Sequence, residues 1–192
     1  MIRTQATMLF HRVVPEATFK RRRDRLSPAE SEKTERLARV YANARHVWNS
    51  DEDVLAFLHA LSGGRWNSPG RSAIHGPLSS ACAMLETLAH AGSGRIPGAQ
   101  QIVIAEAPDE DALIERHEQA SLPDGWDAEG RGAARRFGDD WLASRRSLVL
   151  VVPSVVARLE FNAVANPAHP GFSRVRVSAP EAVVWDRRLF FG

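Results

Sequence analysis

The glycine-rich stretch from Ser62 to Gly70 constrains the fold more than any other feature, because it separates two different sequence patterns. It reads Ser-Gly-Gly-Arg-Trp-Asn-Ser-Pro-Gly, and three glycines with one proline in nine residues predict a structured loop. Residues 27 to about 60 carry helical periodicity, whereas residues 62–192 mix helical and strand-like patterns. We therefore predict a boundary between two parts of the chain, 1–61 and 62–192.

The N-terminal part is predicted to contain a helical hairpin. The tetrapeptide Ser27–Glu30 combines an N-cap serine, a proline in the first turn and a glutamate that completes a capping box. Apolar residues then recur at helical spacing from Leu37 to Trp48. A second short helix, capped by Ser50 or Asp51, is expected to carry Val54, Leu55 and Leu58. The helix that starts at Ser27 is the first organised element that we expect in the chain.

The C-terminal part is predicted to contain helices and strands. One helix is expected to start at Ser79 and Ser80 and to carry Glu86, a second to cover Asp109–Gln119, and a third to bear Trp141. The first helix should pack through an apolar face, and the third should be capped by two aspartates. The apolar face comprises Ala81, Leu85, Leu88 and Ala89, the caps are Asp139 and Asp140, and strand-like stretches occupy Gln101–Ala105, Ser147–Val152, Ser173–Val177 and Ala182–Trp185.

The composition is that of a soluble globular protein, with 44% apolar and 25% charged residues. The longest strongly apolar run, Leu148–Val152, is five residues, far below the roughly 20 that span a bilayer. The N-terminus lacks a secretion-signal pattern, so we expect a cytoplasmic protein without membrane contact. Cys82 is the only cysteine and the seven histidines lack zinc-protease spacing, so we expect neither a disulfide nor a metal.

A basic cluster in the N-terminal part, Lys20–Arg25, raises the question of nucleic-acid binding. The cluster is short, is interrupted by Asp24 and has no aromatic residues between its charges, so it is also typical of a solvated connecting segment. Direct DNA contact is therefore the least favoured of the functions that we consider.

The C-terminal part resembles the RES domain, the toxin half of the Res/Xre toxin–antitoxin systems. The resemblance implies an ADP-ribosyltransferase-like mixed sheet fold, α+β in class, with NAD+ as substrate. NAD+ would be degraded, or its ADP-ribose transferred to a protein. The matching stretches, in the order of the family, are GGRWNSPG at 63–70, AMLETLAH at 83–90, LPDGW at 122–126, GDDWL at 138–142, VPS at 152–154, NPAHP at 166–170 and WDRRL at 185–189.

The N-terminal part resembles a different protein, the toxin-binding domain of the Xre-type antitoxin. The similar residues are Val13-Val14-Pro15, the stretch from Leu26 to Ala44, and the segment from Asp51 to Leu58. The resemblance implies a fusion of a truncated antitoxin-like helical segment with a RES domain. It further implies that the RES domain lacks the residues before GGRW, including an arginine that helps to bind NAD+. We therefore expect weak or absent activity.

The resemblance assigns catalytic roles to Glu86 and Ser154. Glu86 would stabilise the oxocarbenium-like ribose with its carboxylate, and the alternative is a solvent-facing helical glutamate. Ser154 would orient the ribose or nicotinamide through its hydroxyl, and the alternative is a serine that stabilises a turn beside Pro153.

The NAD+-binding residues implied by the resemblance are Arg65, Trp66, Asn67 and His75. Arg65 would contact the diphosphate or form a structural salt bridge. Trp66 would pack in the interior or stack on a cofactor ring. His75 stands where the family commonly has tyrosine, and a neutral imidazole can still donate one hydrogen bond.

The expected partners are NAD+ and a cognate RES toxin or Xre antitoxin, and a homo-oligomer is left open. The leading interpretation is a RES-type enzyme that carries its own antitoxin-like segment. The alternative is a catalytically inactive fusion that binds an intact RES toxin. A DNA-binding regulator is ranked third.

Overall fold

The computed structural model describes residues 7–15, 63–91, 100–179 and 181–190. Within these ranges the chain forms helices α1 (Ser80–Ala91) and α2 (Gly132–Ser144), and the α+β class predicted from the sequence is confirmed. None of the helices in these ranges is long and apolar enough to cross a membrane. The strands are β1 (Thr7–Pro15), β2 (Ile74–Pro77), β3 (Gln100–Pro108), β4 (Ile114–Arg116), β5 (Val149–Pro153), β6 (Phe161–Ala165), β7 (Arg176–Val177) and β8 (Glu181–Ala182).

The strands form two sheets. In the first sheet β3 pairs with β1, β7 and β8, and the antiparallel ladder to β1 runs from Thr7 opposite Pro108 to Pro15 opposite Gln100. The second sheet has the order β2-β6-β5-β4. Its β4–β5 pair is parallel and its other pairs are antiparallel.

The second sheet lies between two apolar clusters, and β5 contributes to both. Val149 and Val151 belong to the cluster shared with Ala105 and Ala107 of the first sheet. Leu150 and Val152 belong to the cluster that contains Trp66 and the α2 residues Trp141 and Leu142. Successive side chains of a strand point to opposite faces, so a run of apolar residues is what a strand buried on both faces requires.

Several sequence predictions agree with these elements, and others are wrong. The strands predicted at Gln101–Ala105 and Ser147–Val152 correspond to β3 and β5. The helix predicted over Asp109–Gln119 is wrong: this stretch contains β4, which pairs with β5, followed by the start of a 3-10 helix at Gln119. Tertiary pairing here overrides local helix propensity.

The strands predicted near the C-terminus are shorter than expected. Most of Ser173–Val177 is not a strand, because a 3-10 helix over Pro170–Arg174 leaves only the residues of β7. Pro170 occupies the first turn of this helix, and the Nδ1 atom of His169 accepts a hydrogen bond from the amide of Gly171. Of Ala182–Trp185, only Ala182 is in a strand.

The prediction that Asp139 and Asp140 cap the helix of Trp141 is wrong, since both lie inside α2. Strand β1 also precedes the helix at Ser27 that was expected to be the first element. The helices predicted between residues 27 and 60, and the basic cluster at 20–25, lie outside the described residues.

Candidate active site

The glycine-rich loop is held in shape by its own polar side chains. Gly63 has a φ of +67°, which glycine adopts without strain. The side chain of the fully buried Asn67 donates to the carbonyl of Arg71 at 2.8 Å, and its Oδ1 lies 2.9 Å from Nε2 of His75. Since this oxygen carries no hydrogen, the contact requires the hydrogen of His75 to be on Nε2.

Gly64 lies against this pair and has no room for a side chain. A Cβ atom at this position would be 2.8 Å from Oδ1 of Asn67 and 3.0 Å from Cε1 of His75. Asn67 and His75 therefore form one hydrogen-bonded unit that shapes the loop.

Helix α2 fixes the other side of the loop. A Cβ atom on Gly138 would lie 1.9 Å from the carbonyl oxygen of Trp66. The backbone of α2 therefore packs against the backbone of the loop, with no space for a side chain at residue 138. Asp139, which was expected to cap a helix, instead accepts the amide hydrogen of Ser68 at 3.0 Å. The ring of Trp66 stacks on that of Trp126 with centroids 6.0 Å apart and is only 2% exposed. Of the two roles considered for Trp66, this position matches packing.

Helix α1 begins as expected but turns a different face to the interior. The hydroxyl of Ser79 accepts the amide hydrogen of Cys82 and so caps the helix. The side chains buried on the helix are Cys82 and Ala83, each 3% exposed, whereas Leu85 is 44% exposed. The predicted apolar face, which also included Ala81 and Ala89, is wrong because both of these residues are exposed too. The small side chains of Cys82 and Ala83 let the helix pack closely against the rest of the protein.

Glu86 lies one turn beyond Cys82 and is held by two neutral donors. Its Oε1 accepts hydrogen bonds from the hydroxyl of Ser154 and from Nδ2 of Asn162, both at 2.9 Å. Glu86 is half-buried. The solvent-facing glutamate considered from the sequence therefore does not match its environment.

Ser154 follows β5 directly and is fully buried. Its oxygen accepts the amide hydrogens of Val156 and Ala157, both at 3.2 Å. A hydroxyl has two acceptor positions and one hydrogen, so the two amides direct that hydrogen to Glu86. Ser154 therefore has the turn-stabilising contacts considered for it and also contacts Glu86, while its catalytic role stays a prediction.

Cys82 completes the surroundings of this pair. The pKa of the Cys82 thiol is raised to about 11, chiefly by burial and also by the negative charge of Glu86, while the Ser154 hydroxyl acts in the opposite direction. The thiol therefore stays protonated at neutral pH, and it supplies no charge to the site.

Arg65 brings positive charge to the same region. Its Nη1 donates to the carbonyls of Trp126 at 3.1 Å and Ala128 at 3.0 Å. Burial lowers the pKa of Arg65, and the charges of Arg131 and Arg158 lower it further, whereas Asp127 and Glu86 raise it. The guanidinium remains charged, as arginine does in proteins.

Arg158 is itself fixed beside this group. Its Nη1 lies 3.0 Å from Oδ2 of Asp127, and its guanidinium carbon lies 5.7 Å from the ring centroid of Trp126. Arg65 and Arg158 therefore bring positive charge from two separate loops to one short stretch, residues 126–128.

The structure thus brings together some of the predicted site residues and separates others. Glu86 and Ser154 are in direct contact, and the charge of Glu86 acts on Arg65. Asn67 and His75 form the separate unit in the loop. Sequence reasoning missed Asn162, for which the one available signal is an asparagine within the apolar stretch Phe161–Ala165.

Comparisons with known proteins agree with this fold. Residues 36–186 match the RES domain, so the match includes residues 36–61 of the predicted N-terminal part. The predicted boundary at 61 and 62 stays a prediction. In the crystal structure of the M. tuberculosis MbcT-MbcA toxin-antitoxin complex, one chain has the same fold with a TM-score of 0.57 at 15% identity. The alignment covers 93% of this chain and 85% of that one.

Two relatives with similar sequences are named as toxins. The Prs ADP-ribosylating toxin of Sphingobium sp. is 38% identical over 153 residues, which are 79% of this chain and 94% of that protein. A Toxin Res of Yersinia enterocolitica is 33% identical over 129 residues, 66% of this chain and 84% of that protein. The match over residues 36–186 and these two relatives together show that the chain belongs to the RES domain family.

Proposed function

We propose that this chain is a RES-type toxin that takes NAD+ as substrate and cleaves the bond between nicotinamide and its ribose. The observation that carries the proposal is the carboxylate of Glu86, held by Ser154 and Asn162. As the C–N bond breaks, its electron pair leaves with nicotinamide, which becomes neutral, and positive charge develops on the ribose. A carboxylate fixed in advance stabilises such an oxocarbenium-like state without reorganising.

The diphosphate of NAD+ would be bound by Arg65, with Arg131 and Arg158 nearby. Arg65 is held by two backbone carbonyls, and the positive charges of Arg131 and Arg158 act on it. Planar guanidinium groups suit phosphate oxygens. Asn67 and Trp66 would serve NAD+ binding indirectly, by fixing the loop that carries Arg65. His75 would contribute through its bond to Asn67.

We propose that the enzyme is active, in contrast to the weak or absent activity expected if the NAD+-binding arginine before GGRW is missing. The RES match includes residues 36–61, and this segment carries Arg36, Arg39 and Arg45. These residues are candidates for the arginine that the family places before the glycine-rich motif.

An antitoxin is the proposed protein partner. The solved relative is a chain of a toxin–antitoxin complex, and curated relatives are named as toxins. A cell that makes an NAD+-cleaving enzyme needs a way to block it, and a dedicated binding protein meets that need.

The test is loss of NAD+ and release of nicotinamide by the purified full chain, followed by chromatography with and without phosphate. We expect turnover by the wild type and a fall of about 10² to 10³-fold for Glu86→Gln, in line with the loss of one fixed electrostatic group. Glu181→Gln is the matched control, because Glu181 is exposed on β8 and lies outside the Glu86 and Arg65 groups. The product identifies the acceptor: ADP-ribose for water, a phosphorylated ADP-ribose for phosphate, or a labelled protein.

Two outcomes would contradict the proposal. One is a folded wild type, by circular dichroism, that consumes no NAD+. The other is a Glu86→Gln variant that consumes NAD+ at the wild-type rate.

A further inference from the structure

We infer that Asn162 is a positioning residue for Glu86, an inference that rests on the function proposed above. Nδ2 of Asn162 and the hydroxyl of Ser154 both donate to the same oxygen of Glu86, each at 2.9 Å. The two donors come from different elements, β6 and the loop after β5. Two donors of separate origin on one oxygen fix both the place of the carboxylate and its rotation.

The backbone of Asn162 is itself held rigidly. Strand β6 lies between β2 and β5, and Asn162 stands opposite Pro77 on one side and Val152 on the other. The amide of Leu78 donates to the carbonyl of Phe161 at 2.9 Å, only one residue before the serine that caps α1. The same strand therefore locates both the amide of Asn162 and the start of the helix that carries Glu86, which is how a precise site is supported.

The environment of Oδ1 of Asn162 supports a functional role for this residue. Its Oδ1 is buried and has no hydrogen-bond partner among the described residues. A buried acceptor without a partner destabilises a fold, whereas an apolar side chain of similar size would avoid that cost. The bond that Nδ2 donates to Glu86 is the gain that explains an asparagine at this position.

The experiment compares Asn162→Leu and Asn162→Asp with the wild type in the full chain, with steady-state NAD+ kinetics from pH 5 to pH 8. Leucine keeps the volume and removes the donor. We expect kcat to fall about 10 to 100-fold, since a misplacement of about 1 Å can cost on the order of 10²-fold. We expect KM to change less than about threefold, and the melting temperature to stay the same or rise. Asn166→Leu is the matched control.

Asn166 is also buried, but its bonds go to the carbonyl of Leu142 and the amide of Ala168, outside the site. Its replacement should lower the melting temperature and leave the kcat of the folded protein unchanged.

The aspartate variant supplies a signature that a structural role would not produce. Two carboxylates in contact share one proton at low pH, so the carboxyl group introduced by Asn162→Asp can then donate to Glu86 as the amide does. At higher pH both carboxylates ionise and repel each other. The kcat of Asn162→Asp should therefore approach the wild-type value near pH 5 and fall as pH rises.

Three ionisable groups that the structure describes in the surroundings of Glu86 and Cys82, namely Arg65, Cys82 and Glu160, do not produce this difference. Arg65 stays charged and the thiol of Cys82, with a pKa of about 11, stays neutral over this range. Glu160, which is exposed and lies near Cys82, is present in both proteins. A ratio of the two pH profiles therefore removes their contributions.

The outcomes separate this inference from the proposed function. A wild-type kcat for Asn162→Leu, or a wild-type pH profile for Asn162→Asp, would overturn the role of Asn162 while NAD+ cleavage stands. A folded wild type without activity would overturn the proposed function and this inference with it.

Discussion

Two buried serines, Ser154 and Ser147, each contact a glutamate, and different donors hold the two glutamates. Ser154 lies beside Glu86, whose Oε1 receives hydrogen bonds from a hydroxyl and an amide, both neutral. Ser147 lies beside Glu115, whose two oxygens accept from Nη2 and Nε of Arg146, each at 2.6 Å. His117 adds a contact from Nε2 to Glu115 at 2.7 Å.

The difference lies in how each carboxylate is balanced. The hydrogen bonds from Arg146 lower the pKa of Glu115, and its charge is matched by a two-point contact that ties β4 to the segment before β5. Oε1 of Glu86 receives hydrogen bonds from two neutral groups, and the charge of Arg65 acts on this residue as well. A serine–glutamate contact alone therefore does not mark a site. The two pairs differ in that Arg146 binds both oxygens of Glu115, whereas Ser154 and Asn162 both donate to one oxygen of Glu86.

The largest effects are expected when the negative charge of Glu86 or of Glu115 is removed by replacement with glutamine. Glu86→Gln should lower NAD+ turnover by about 10² to 10³-fold and change the free energy of unfolding by less than about 1 kcal/mol. Glu115→Gln should lower the free energy of unfolding by about 1 to 2 kcal/mol, because it weakens a charge-assisted contact, and leave turnover unchanged. Kinetics and urea unfolding of both variants measure this. If Glu115→Gln stays folded but loses turnover, Glu115 is not merely structural and the contrast with Glu86 fails.

Replacing the two serines should also separate the two pairs, because we expect turnover to depend on Ser154 and not on Ser147. Ser154→Ala removes one donor from Glu86, so turnover should fall by on the order of 10²-fold. It also leaves the amides of Val156 and Ala157 without their acceptor, which should lower the free energy of unfolding by about 1 to 3 kcal/mol. Steady-state kinetics and urea unfolding give the two numbers.

Ser147→Ala is the matched variant, because the hydroxyl of Ser147 accepts the indole hydrogen of the buried Trp141 at 2.7 Å. It should lose a similar free energy of unfolding and keep its turnover. Equal turnover in the two serine variants would show that Ser154 only stabilises its turn.

The smallest expected effect is the pH dependence of the Glu115 contribution. Its pKa is lower in the folded than in the unfolded protein, chiefly through Arg146, so its contribution is present above the unfolded pKa of about 4.3. The contribution is lost as pH falls through the folded pKa. The difference in free energy of unfolding between wild type and Glu115→Gln should therefore be smaller below about pH 4 than at pH 8. Urea unfolding across this range measures it, and a difference that grows on acidification would contradict the assignment.

Part of the candidate site could be predicted from the sequence because its signals are local. The loop at 63–70 follows from glycine and proline, and the start of α1 follows from the serine at 79. The resemblance to the RES domain then placed Glu86 and Ser154 in one site, and they are in direct contact. The inward face of α1 was not predictable from apolar spacing, since Leu85 is exposed and the half-buried Glu86 contacts Ser154 and Asn162.

What the sequence by itself determined is the set of elements whose causes lie within a few residues: the glycine-rich loop, the cap of α1, and the apolar run that becomes β5. Only the tertiary structure decided that Asn162 donates to Glu86, that Arg131 and Arg158 act on Arg65, and that Asp139 holds the loop. The physical reason is range. A cap or a glycine φ depends on neighbouring backbone, whereas these contacts depend on strand register and on the packing of α2 against the loop, which residues far apart in the chain decide together.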